Sequence, residues 1–147
     1  SLAPYNPFYQ RLRPENYPAL IRLLLYGSAE RRENLILRRT STLKIRSQQK
    51  PAILAQWQAY AREYPVTRAN ILRQLQAAVR YRAARVVPPM PVLLLAGQQD
   101  RLVNVKCSLA LARHWHCAIR VHPTAGHDLP LDDGAWVVRQ VRDWLAA

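Results

Sequence analysis

Two residues in this chain have the types and spacing for acid–base chemistry. Asp100 comes three residues after Gly97 in LLLAGQQDRLV, and His127 comes five residues after His122 in RVHPTAGHDL. A carboxylate held against one imidazole nitrogen fixes the ring's tautomer and stabilises the imidazolium. The other nitrogen is then left to face a nucleophile. Taken singly, Asp100 could be a turn residue, since Asp stabilises loop starts, and His127 an ordinary surface histidine. Taken in order, each just past an apolar run, they read as the orienting half of a triad. His127 would act as general base and then general acid, with Asp100 orienting it.

Other polar residues compete for these roles. Asp128 is adjacent to His127, and neighbours in a loop seldom face each other; it is expected to anchor the loop backbone or contact Arg101. Asp132 and Asp133 are expected to cap the last helix, where acidic groups suit both the free N–H groups and the dipole. His114, His116, Cys117 and His122 form a loose cluster, but their spacing fits no zinc pattern, so no metal site is expected.

The flanking elements must bring both residues to one edge. PVLLLAG (91–97) is a continuous apolar run closed by Gly, as a strand buried on both faces of a parallel sheet reads. VKCSLALARHW (105–115) is expected to be a helix and CAIRVHP (117–123) a strand. A closing helix follows, with Val137, Val141, Trp144 and Leu145 on one face. Strand, helix, strand, helix implies parallel pairing with crossover helices. Ligands in such sheets sit beyond the carboxyl ends of the strands, where Asp100 and His127 both fall.

Upstream the pattern is helical. SLAPYNPFYQRLRP (1–14) reads as an irregular connector because proline removes donors and fixes φ. Helices are expected over 15–26, with Pro18 in the first turn and Gly27 as the stop, and over 29–40. Residues 41–50 are polar and unpatterned. A further helix is expected over 51–64, with Ile53, Leu54, Trp57, Tyr60 and Ala61 on one side, and another after an N-cap at Thr67. VVPPMP (86–91) is a linker. The expected organisation is a connector at 1–14, a helical region at 15–88 and an α/β segment at 89–147.

LLLAGQQDRLV and AGHDLPLD resemble the acid and histidine segments of the α/β-hydrolase family, in the family's chain order. Residues 15–85 resemble the lid that many members insert before the acid strand. The resemblance implies an α/β fold, the C-terminal part of an α/β-hydrolase preceded by an all-helical lid. It implies a serine hydrolase acting on an ester, thioester or amide through an acyl-enzyme, with catalytic Asp100 and His127 and no cofactor. The family's nucleophile lies in a G-x-S-x-G turn. None of Ser1, Ser28, Ser41, Ser47 and Ser108 sits in one, because Gly27, Gly97, Gly126 and Gly134 do not flank them in that way. The nucleophile and the first strands are therefore expected from outside these residues, and the chain alone is expected to be inactive. Its sheet is expected to be completed by that missing half or by a second copy. Trp57 and Tyr60, with Tyr64, Leu24 and Leu25, would either line an acyl pocket under the lid or pack as core.

Composition adds bounds. The 147 residues suit one medium domain or part of a larger protein, and half are hydrophobic. No apolar run is long enough for a membrane span, and no charged-then-apolar leader opens the chain. Two sparse cysteines, Cys107 and Cys117, define no disulfide framework. Together these suggest a cytoplasmic chain. Net charge is +13, and residues 1–88 hold most of it, with 14 Arg and 2 Lys against 4 Glu. Basic groups at Arg31, Arg32, Arg38, Arg39, Arg80, Arg82 and Arg85 leave open an alternative, a non-enzymatic binding module for nucleic acid or an acidic partner. Nucleic acid is the less favoured partner, because no aromatics clearly interleave the basic groups.

Overall fold

The computed structural model describes residues 12–26, 28–42, 50–81 and 86–147. Most of the connector expected at 1–14 lies outside them, as do Gly27, residues 43–49, Arg82 and Arg85. The side chains of Leu24 and Leu25 are likewise outside the description.

A single 3-10 turn, Pro14–Asn16, leads into α1 (Tyr17–Tyr26) and α2 (Ala29–Thr40). Ser28 caps α2 by accepting from Arg31 N at 3.3 Å. The next helix, α3 (Lys50–Glu63), packs on α2. Thr67 caps α4 (Arg68–Arg80), accepting from Asn70 N at 3.2 Å as its position predicts. No residue of α4 is buried.

Two parallel strands follow the linker. β1 (Leu93–Gly97) pairs in register with β2 (Ala118–His122), so that Gly97 stands opposite His122. The crossover is α5 (Val105–Trp115), capped by Asn104. It brings Val103, Cys107 and Leu111 into a small core against Leu94, Leu102 and Trp115. His116 ends α5 in the left-handed conformation (φ 50°), a role glycine fills most easily. The parallel order expected from the alternation of apolar runs is the order observed.

The last helix, α6 (Leu129–Leu145), corrects one expectation. It starts before Asp132, with a proline in its first turn, and breaks at Asp133 (φ −152°, ψ 78°). Asp133 does cap, since its Oδ1 accepts from Trp136 N at 2.9 Å past the break. Asp132 does not. It lies inside the first turn, fully buried, and its carboxylate is turned toward the chain before it. Proline at the first helical positions is the reason, because its fixed φ sets the helix start earlier.

Among the described residues, no helix is long and apolar enough to cross a membrane. Neither cysteine is in a disulfide; Cys107 is buried and Cys117 half-buried.

Candidate functional site

β1 ends at Gly97 because the chain after β2 crosses directly over it. A Cβ on Gly97 would collide with the carbonyl oxygens of Ala125 and Gly126, so only glycine permits this approach. The contact is cemented by backbone hydrogen bonds. Gln98 N donates to His122 O at 2.9 Å, and Gln99 N to Ala125 O at 3.0 Å. The loops after the two strands are thereby joined, and each holds one of the two candidate residues.

Asp100 and His127 meet there. His127 Nδ1 lies 2.8 Å from Asp100 Oδ2. The other carboxylate oxygen, Oδ1, accepts from Leu102 N at 2.8 Å and Val103 N at 2.9 Å. Two backbone donors thus fix the carboxylate, leaving Oδ2 for the imidazole. An ionised carboxylate only accepts, so the proton of the pair sits on Nδ1 and Nε2 carries a lone pair. The Asp100 side chain is 13% exposed and that of His127 35%. The acid is shielded and the imidazole remains accessible, as a proton-transfer group requires.

His122 has the opposite tautomer and a different task. Its Nδ1 accepts from Thr124 N (3.2 Å) and Ala125 N (2.9 Å), so its proton is on Nε2, which stands 3.5 Å from Asp133 Oδ2. The ring sits edge-on to Trp136, with centroids 4.9 Å apart. It is buried and shapes the turn that leads to His127. Among the described residues no group of three or more His, Cys, Asp or Glu could hold a metal ion.

The helical region is fastened to both loops. Arg13 N donates to Leu102 O at 3.0 Å, and the buried Asn16 donates through Nδ2 to Arg101 O at 2.9 Å. At the end of α2, Thr40 O accepts from Asp128 N at 2.8 Å. Thr42 Oγ1 lies 2.7 Å from Thr124 O and 3.2 Å from Asp132 Oδ2, with one proton to serve either. Asp132 also accepts from Ser41 Oγ, from Thr42 N at 3.0 Å, and from Gly126 N at 2.6 Å. Asp128 anchors the loop as expected, though through its backbone; its side chain makes no cap hydrogen bond.

Trp57 and Tyr60 lie on α3. Trp57 is half-buried, while Tyr60 is 53% exposed, its hydroxyl 3.2 Å from Gln56 Nε2. No hydrogen bond links either to Asp100 or His127. An apolar groove of about 270 Å³ does exist among the helices, lined by Leu20, Ile36, Ala61, Val66, Ile71 and Leu75 with Arg32 and Glu33. Burial holds the Glu33 carboxyl above its usual 4.5, with the Arg32 charge working the other way.

Sequence reasoning paired Asp100 with His127, which the structure brings together, and missed the parts played by His122 and Asp132. Pro130 was the available signal for Asp132, since it moves the helix start ahead of that carboxylate. Nothing local marks His122, whose partners lie along the following turn and in α6.

No family model matches the chain, and no curated protein matches it. Among solved structures, a thermophilic esterase from Thermogutta terrifontis with malate bound is similar at a TM-score of 0.62 and 18% identity, over 99% of this chain and 53% of that one. Another thermophilic esterase is similar at 0.61 and 17% identity, over 93% of this chain and 52% of that one. The chain spans about half the length of these structures. At such identities the likeness is one of fold, and the chain carries part of an esterase-type α/β fold, helices first and a parallel strand pair after them.

Proposed function

We propose that this chain supplies the acid and the base of a Ser-His-Asp triad in an α/β-hydrolase. The observation that carries the reading is the 2.8 Å contact between His127 Nδ1 and Asp100 Oδ2, on a carboxylate whose other oxygen is held by two backbone donors. In this mechanism Nε2 of His127 takes the hydroxyl proton of a serine outside these 147 residues. The serine oxygen attacks the carbonyl carbon of an ester, thioester or amide. The leaving group departs with the proton from Nε2, and an acyl-enzyme remains. Water then enters and loses its proton to the same nitrogen. The proton returns to the serine oxygen as the acid is released.

Asp100 stays ionised throughout and steadies the imidazolium. The chemistry uses no metal or cofactor. Residues 15–88 form the lid over the substrate, and 89–147 form the C-terminal segment of the core. The preceding half of the fold completes the sheet.

A fluorophosphonate probe on the full-length gene product tests this. The wild type is expected to label, and His127→Ala to lower the labelling rate by about 10³-fold or more. Labelling that survives the loss of His127 would overturn the assignment.

A further inference from the structure

We propose that Asp132 is a positioning residue for His127, a buried carboxylate that sets the histidine loop and the end of helix α2 as one unit. The consequence for catalysis rests on the triad reading above; the bracing itself does not.

The geometry is unusual for a residue next to a helix start. Asp132 is fully buried, yet it stands inside the first turn of α6, past the N-cap position. Its oxygens face two other segments. From the histidine loop, Gly126 N donates at 2.6 Å. From the end of α2, Ser41 Oγ and Thr42 N donate, and the Thr42 hydroxyl stands within reach. A buried carboxylate is costly unless every oxygen is bonded. This one takes bonds from both segments in their observed places. Neither can move without stranding charge. Gly126 immediately precedes His127, so its amide fixes where the imidazole begins.

Gly126 itself shows how close the packing is, since a Cβ there would come within 2.8 Å of Thr40 O. A second strap reinforces the first. Asp128 N, on the other side of His127, donates to that same Thr40 O at 2.8 Å. His127 is therefore flanked by two amides, each tied to or through the end of α2. Displacing the helical region would loosen the imidazole from Asp100. The helical region would then govern the base as well as cover the substrate.

The test is histidine-selective ¹⁵N NMR on the full-length gene product. The signal followed is the His127 Nδ1–H proton that is shared with Asp100. Asp132→Asn places an amide among donors, and the expected result is a shifted signal that exchanges with water at least tenfold faster. Thr42→Val removes only a hydroxyl on the helical side and keeps the Gly126 bond. It should move the same signal in the same direction, more weakly. Asp143→Asn, on an exposed site, should leave the signal in place. A folded Asp132→Asn with an unchanged His127 signal overturns the proposal. If that variant does not fold, an unchanged signal in Thr42→Val does so instead. The two readings separate cleanly. Should His127→Ala leave probe labelling intact while Asp132→Asn still frees the imidazole proton, the triad falls and the brace stands.

Discussion

At the residue scale the site depends on how one carboxylate divides its oxygens. Asp100 gives Oδ1 to the backbone and Oδ2 to His127. Asn at this position can keep the first task. Its Oδ1 still accepts from Leu102 N and Val103 N, so the loop should hold and stability should change by no more than about 1 kcal/mol. The second task fails, because an amide NH₂ facing Nδ1 demands a lone pair there and drives the proton to Nε2. Nε2 is then no longer a base. On the triad reading, Asp100→Asn in the full-length protein is expected to lower kcat by about 10³- to 10⁴-fold with little change in KM. Steady-state kinetics beside a thermal melt checks both halves; an equal loss of stability and rate would mean that Asp100 only shapes its loop. This division was half legible in the sequence. The position of Asp100 past an apolar run and the His127 that follows it point to the pair. Which oxygen serves which partner depends on two amides of the turn, and those have no residue signature.

The element scale concerns how two loops are held face to face. Both strands were readable in the sequence, and α2 and α5 span the ranges expected for them, 29–40 and 105–115. The start of α6 was not, because Asp132 and Asp133 offer equivalent caps and only Pro130 breaks the tie. The crossing of the loops was less legible still. Gly97 reads locally as a strand terminator, but its role is to admit the carbonyls of Ala125 and Gly126 from a segment far along the chain. Adding one methyl should therefore act at a distance. Gly97→Ala is expected to push the 125–127 backbone off β1, break the Gln99–Ala125 bond and separate His127 from Asp100. The stability loss should be about 1–3 kcal/mol or more, read from urea unfolding of the full-length protein. Hydrogen exchange should quicken at Gln98 and Gln99, whose amides bond across the loops. Native exchange at both in the variant would show that the collision relaxes elsewhere.

At the scale of the whole molecule the main feature is apolar surface without cover. A parallel sheet is ordinarily buried on both faces, and two strands alone make a marginal one. Here Leu93, Leu94 and Leu95 are only half-buried. Of the α6 face expected to pack, Val137 and Trp144 are half-buried, while Val141 is 37% and Leu145 72% exposed, and Val138 beside them is 56% exposed. Val137, Val138, Val141 and Leu145 line a shallow groove with Ala146. The solved structures that this chain resembles are about twice its span, so the same surfaces in a complete fold would meet the rest of the sheet and its helices. Hydrophobic periodicity could reveal that α6 has an apolar face, but not that the face lacks a neighbour, since burial is a property of what lies opposite. The 147 residues produced alone should therefore associate. Their 16.9 kDa should elute as a dimer or larger at micromolar concentration despite the +13 charge, because charge at ordinary salt acts over only about 8–10 Å. Val138→Lys with Leu145→Lys should return the chain toward monomer. The same pair of substitutions in the full-length protein should destabilise it, since a neighbour filling the groove would bury two lysines. A wild-type chain that stays monomeric at every concentration, or a full-length protein indifferent to both lysines, would show that this face needs no partner.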